Sequence, residues 1–141
     1  MSSAAEAAAP AILLVHGTNI VARPTFLMAE PEPEQALSAR KLVLETAKFN
    51  VITAHSVREA MELCDQFPKA SALIIHGSLR NCAEVVKAFK NSDRKRPAIL
   101  LAASDSNSCD GADHRVSSHN PEELLTLLRE LFGDPRQIDG K

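Results

Sequence analysis

The sequence predicts an α/β fold, a doubly wound parallel five-stranded sheet with helices on both faces. Three observations carry that prediction. Short aliphatic runs recur along the chain (VITA at 51–54, SALIIH at 71–76, PAILLAA at 97–103), and their lack of polar alternation marks strands buried on both faces. Segments with helical periodicity separate these runs, so strand and helix alternate. Right-handed crossovers between parallel strands then place helices on both sides of one sheet.

Each element follows from local pattern. Residues 1–10, MSSAAEAAAP, read as an Ala/Ser-rich leader, and 134–141 as a tail. Residues 11–23 hold an additional N-terminal strand, ILLV, with its connection. The main domain spans 24–133 and opens with the strand TFLMAE (25–30), closed by the acidic turn EPEPE. Residues 34–48 form a helix with Ala36, Ala39, Val43 and Ala47 on one face and Leu37 and Leu44 beside them. Ser56 and Glu59 make a capping box, and Val57, Ala60, Met61 and Cys64 continue the helix they open. Asn81 and Glu84 start another helix, with Cys82, Val85, Val86 and Phe89 inward. HRVSS (114–118) is a weak strand. Asn120-Pro121-Glu122-Glu123 then combines an N-cap, proline at the first helical position and acids at the positive end of the dipole. Leu124, Leu127, Leu128 and Leu131 face inward, and Gly133 ends the helix.

Composition excludes several classes of function. The 141 residues make one domain, 45% hydrophobic with five Phe and no Trp or Tyr, so the core is aliphatic. A net charge of −2 gives no general attraction to nucleic acid or an anionic membrane. Lys87, Lys90, Arg94, Lys95 and Arg96 cluster, yet no aromatic residues interleave for base stacking, and the cluster reads as a solvated helix end. The three cysteines are odd in number and lack a CxxC, which points away from a disulfide framework and toward a reducing compartment. Cys64 and Cys82 lie on apolar helix stripes and read as core; Cys109 lies in a polar loop. Without a signal-peptide pattern or a membrane-length apolar run, the expectation is a soluble cytoplasmic protein.

From Phe26 onward the chain resembles the response-regulator receiver family, of flavodoxin- or CheY-like fold. FLMAEPEPEQALSARKLVLETAKFNVITAHSVREAMELC resembles the family's first two strand–helix units, and GADHRVSSHNPEELLTLLREL its passage into the last helix. The resemblance covers about 110 residues and makes 24–133 a receiver-like domain. It also implies a short set of chemical positions. The family's phosphoacceptor aspartate, at the end of the third strand, corresponds to His76. Its two magnesium-binding acids correspond to Glu30 and Pro31, with Glu32 next. The switch Ser/Thr corresponds to Ala102, or to Ser104 if the strand is shifted by two. The lysine falls in the stretch of Ser118 and His119. Seven residues, SDSNSCD, stand where a receiver has its fourth helix, so that helix is expected to be absent or a single turn.

The resemblance therefore implies a degenerate pseudo-receiver: a non-enzymatic signal-transduction module acting by protein–protein interaction, with no phospho-aspartate switch and no cofactor. The alternative is a small-molecule or ion sensor using the altered pocket of Glu30, Glu32, His76, Ala102, Ser104 and Ser118. His76 itself reads either as a polar filler of vacated space or as a phosphoacceptor, a pH-sensitive contact or a ligand-binding group, with no cation at the corresponding lysine position to neutralise a phosphohistidine. His114 and His119 fall near the same sheet edge in this alignment, leaving a loose histidine cluster open, with no metal spacing motif to support it. ILLVHG and LIIHG share a strand-then-His-Gly pattern, but no G-x-S-x-G elbow accompanies His16, so a hydrolase is not indicated. The expected partner is a protein or output domain. A homodimer paired through the 11–15 strand is a further expectation, since an aliphatic edge strand invites pairing.

Overall fold

A computed structural model of the chain describes residues 23–31 and 38–136. The strands are β1 (Thr25–Ala29), β2 (Asn50–Ala54), β3 (Ala72–His76), β4 (Ala98–Ala102) and β5 (His114–Ser117). The helices are α1 (Ala39–Thr46), α2 (Val57–Gln66), α3 (Cys82–Lys90) and α4 (Pro121–Phe132). All strand pairs are parallel, in the order β2-β1-β3-β4-β5. The chain winds one way from β1 to β2 and the other way from β1 through β3, so the switch point lies between β1 and β3.

Strand alternation sorts the apolar runs into two cores. Phe26 and Met28 of β1, Ile74 of β3 and Ile99 and Leu101 of β4 face Leu44 of α1 and Leu124, Leu125 and Leu128 of α4. Leu27, Leu73 and Ile75 point the other way, toward Ala60 of α2 and Val85, Val86 and Phe89 of α3. Burying each such Leu, Ile or Phe contributes about 1.5–3 kcal/mol relative to exposure. Phe26 anchors the first core, with ring centroids 5.0 Å from Phe49 and 5.3 Å from Phe132.

The capping motifs behave as their chemistry requires, with one exception. Ser56 accepts from the Glu59 amide, and Glu59 reaches back to the His55 amide. Asn120 accepts from Glu122 and Glu123. Asn81, expected to cap α3 with its side chain, instead adopts a left-handed backbone at φ 63° and makes no side-chain cap bond. The inner face of α1 also needs correction. Ala39 is exposed while Val43, Leu44 and Ala47 turn inward, and Ala36 and Leu37 lie outside the described residues.

The connection from β4 to β5 contains no helix. Side chains hold it in place instead. The Asn107 Oδ1 accepts from the Ala103 amide at 2.8 Å, and Arg115 donates to the carbonyls of Ser104 (2.7 Å) and Asn107. A second correction concerns the thiols: Cys82 is buried as expected, but it is bonded to Cys109 across a Cα–Cα distance of 6.0 Å. Cys64 is the free thiol, and burial, partly offset by Arg96, raises its pKa.

Three charged side chains, Arg96, Lys90 and Asp113, tie elements together at the opposite end of the sheet. Arg96 lies over the Phe89 ring at 4.0 Å and donates to the carbonyls of Pro68 and Ala70, each at 2.7 Å, and to that of Phe89. Lys90 pairs with Asp113 at 2.5 Å, and Asp113 also accepts from the Ala98 amide. Burial would raise the Asp113 pKa; these hydrogen bonds and the Lys90 charge outweigh it and hold the carboxyl below its ordinary value. The basic cluster is thus partly spent on tying α3 to β4 and to the 68–70 turn. No helix among the described residues is long and apolar enough to cross a membrane.

Candidate functional site

The carboxyl ends of parallel strands gather the residues that follow them, and ligands of doubly wound folds sit at that edge beside the switch point. Here β1 leads into Glu30, β3 ends on His76, β4 ends on Ala102, and β5 leads into Ser118. Because Ala29 pairs with Ile75, the next residues, Glu30 and His76, flank the switch point.

Glu30 is 1% exposed, an acid at the end of a buried strand that requires a counter-charge. Arg40 of α1 supplies it. Its Nε donates to Glu30 Oε1 at 2.8 Å and its Nη2 lies 2.6 Å from the same oxygen. The remaining arm, Nη1, donates to the Ser118 carbonyl at 2.8 Å. One guanidinium therefore joins the ends of β1 and β5 to α1. The second carboxylate oxygen, Oε2, is buried without a hydrogen-bond partner.

His76 is half-buried beside this pair. Its Nδ1 accepts from the Ser78 amide at 3.1 Å, which leaves the neutral ring's proton on Nε2. Burial lowers its pKa, Arg40 lowers it further, Glu30 opposes, and His119 adds a smaller lowering. His119 donates from Nε2 to the Ala103 carbonyl at 3.3 Å, and His55 donates from Nδ1 to the Glu30 carbonyl at 3.2 Å.

Of the residues expected here, Glu30, His76, Ala102 and Ser118 lie at this edge. Ser118 is 6% exposed and contributes its backbone, donating its amide to Ala102 and accepting from Arg40. Ala102 is buried and has no hydroxyl to offer. Ser104 is exposed in the β4–β5 connection, with its hydroxyl 2.8 Å from that of Ser106 and its carbonyl held by Arg115. Glu32 and His16 lie outside the described residues. Of the loose histidine cluster left open by the sequence, His119 follows the end of β5 at this edge, whereas His114 stands at the start of β5, opposite Ile99. Arg40 and His55 are participants that the sequence pattern did not single out.

The magnesium that the resembled family binds does not fit the donors present. Pro31 has no carboxylate, His76 stands where the third-strand aspartate would, and Oε1 of Glu30 is already engaged by a guanidinium. A hard divalent cation requires several oxygen ligands. Among the described residues no group of three His, Cys, Asp or Glu side chains is placed to hold a metal ion. A separate open groove of about 420 Å³ runs between β5 and α4, lined by His114, Val116, Thr126 and Leu127 among others.

No family model matches this sequence, and no curated protein matches it. Solved structures do. The chemotaxis response regulator CheY4 of Vibrio cholerae is similar, with 21% identity and a TM-score of 0.65 over 79% of this chain and 100% of that one. So is the response regulator TrrA of Thermotoga maritima in complex with Mg²⁺ and BeF, with 22% identity and a TM-score of 0.61 over 77% and 99% of the two chains. The signal receiver domain of an HD domain-containing protein from Pseudomonas fluorescens Pf-5 has 14% identity and a TM-score of 0.68 over 90% and 99%. Identities this low speak for architecture, and together with the strand order they establish that the chain has the response-regulator receiver fold.

Proposed function

We propose that this chain is a cytoplasmic regulatory module of receiver type that transmits a signal by binding a protein partner, without phospho-aspartate switching and without catalysing a reaction. The observation that carries the proposal is the Arg40–Glu30 pair at the switch point, beside a histidine at the end of β3. In the resembled family that position holds an aspartate, and the acids after the first strand hold magnesium. Here the carboxylate already has an internal cation, and imidazole replaces the acceptor carboxylate. A second reading, an ion or small-molecule sensor, draws on the unpartnered Glu30 Oε2 beside the half-buried His76. The homodimer through residues 11–15 belongs to this proposal too; that segment lies outside the described residues.

The test is titration of the full chain with beryllofluoride and Mg²⁺, followed by amide NMR. The proposal expects no saturable shifts at Glu30, His76 or Ser104. Localised, saturable shifts at those residues would overturn it in favour of the sensor.

A further inference from the structure

We infer that Cys82 and Cys109 form a reversible dithiol–disulfide pair that fastens the β4–β5 connection to the start of α3. The two residues are 27 apart in sequence, yet the fold brings their Cα atoms to 6.0 Å, within reach of a disulfide without backbone rearrangement. Nothing in their spacing suggests pairing. The juxtaposition arises because the chain crosses from β4 to β5 without a helix and lies against α3 instead.

Both oxidation states have a place in this geometry. As a disulfide, the pair adds a covalent tie to a segment otherwise held by the Asn107 bond to Ala103 and the two Arg115 bonds. As a dithiol, the Cys82 S–H has an acceptor in position, the Ser108 carbonyl 3.8 Å from Sγ. The two sulfurs also differ in a way that sets the direction of exchange. Cys82 is buried and is the first residue of α3, whereas Cys109 is half-buried in the connection.

An incoming small dithiol therefore reaches Cys109 first. Its thiolate attacks Cys109 Sγ, a mixed disulfide forms there, and the Cys82–Cys109 bond breaks. Cys82 leaves as a thiolate at the positive end of the α3 dipole, which favours the negative charge, and takes a proton from solvent. The second thiol of the reductant then displaces Cys109 and leaves as a cyclic disulfide. Oxidation runs the other way: glutathione disulfide accepts the two electrons of the Cys82 and Cys109 thiols and departs as two glutathione molecules.

What the tie governs follows from what the connection touches. A Cβ on Gly77, the residue after β3, would meet the Asn107 Cβ at 2.9 Å, so the connection presses directly on the backbone beside His76. Opening the disulfide loosens that cover on the carboxyl edge of the sheet, and closing it sets the cover in place. This inference stands on the cysteine pair and the connection, independently of the function proposed above.

The experiment equilibrates the full chain in graded mixtures of reduced and oxidised glutathione, quenches with acid, unfolds it and alkylates with N-ethylmaleimide for mass measurement. With three cysteines, the expected result is one adduct, on Cys64, at the oxidising end and three at the reducing end, with the same curve in both directions. Cys109→Ser should carry two adducts at every ratio, and Cys64→Ser should keep the transition. Amides of residues 103–112 should exchange with solvent about tenfold faster in the reduced chain, while those of α1 stay unchanged. Three adducts at every ratio would overturn the pair. Equal exchange of the connection in the two states would overturn the fastening role.

Discussion

Replacing Arg40 by alanine tests whether one guanidinium organises the carboxyl edge of the sheet. The substitution removes both contacts to Glu30 Oε1 and the bond to the Ser118 carbonyl. Glu30 stays behind, 1% exposed, with Oε2 already unpartnered and Oε1 now bare. Deleting one partner of a buried ion pair costs about 3–5 kcal/mol, mostly because the other charge is left uncompensated. The Arg40 side chain keeps 21% of its exposure, so solvent screening places the loss at the low end. About 3 kcal/mol at roughly 4 °C per kcal/mol lowers Tm by about 12 °C in a domain of this size. The assay is urea unfolding at neutral pH, followed by far-UV circular dichroism, for Arg40→Ala, Glu30→Gln and the double variant. Since Glu30→Gln removes the stranded charge, the double variant should lose about 1.5 kcal/mol less than the two singles added together. Arg40→Ala within about 0.5 kcal/mol of the parent, or a cycle additive within that margin, would refute the reasoning.

Three further outcomes are expected. Arg96→Lys keeps the charge but cannot reach the carbonyls of Pro68, Ala70 and Phe89 together, and thermal unfolding should show a loss of about 2 kcal/mol; an unchanged Tm would mean that the fork contributes nothing. Gly77→Ala brings a Cβ to 2.9 Å from the Asn107 Cβ, so the chain should lose about 1–3 kcal/mol and the Ala103 amide its protection from exchange. Retained protection there would show that the connection yields without cost. The lowered His76 pKa makes protonation less favourable in the folded chain than in the unfolded one, so the group's contribution to stability is intact above pH 6.5 and is lost as pH falls through the lowered pKa. Ring-carbon NMR should place the His76 midpoint below 6.5, and His76→Asn should flatten the stability profile on that acid limb; a midpoint at or above 6.5 contradicts the cause assigned.

The fold was legible because the apolar runs of β1, β3 and β4 have no polar face to show. Ile74 and Ile75 point into different cores, and only a sheet covered on both sides can bury both. The capping pairs at Ser56 and Asn120 were legible for a similar reason, since the chemistry is local. Asn81 shows the limit of that locality: asparagine suits both a cap and a left-handed backbone, and the turn after β3 selects the second. The helical stripe places Cys82 in the core, and its burial agrees. The same stripe carries no information about a loop 27 residues away, because the contact depends on how that loop crosses the sheet.

Arg40 was hidden for a different reason. A cation near the start of an amphipathic helix looks like ordinary surface charge, and its reach across to Glu30 exists only once α1 docks beside β1. The one signal in the sequence was on the other partner: an acid directly after a buried strand has to be neutralised. That asymmetry bears on the proposed function. A metal ion at such a carboxylate comes and goes with its concentration and with the anion it bridges, so it can bias one conformation over another. An arginine on the neighbouring helix is present whenever α1 is docked, in every state that keeps the pair, and an interaction common to two states shifts neither. In the proposed function, a signal therefore acts where contacts differ between states. The β4–β5 connection meets that condition, because its tie to α3 can be opened by chemistry while Arg40 keeps the strand ends joined.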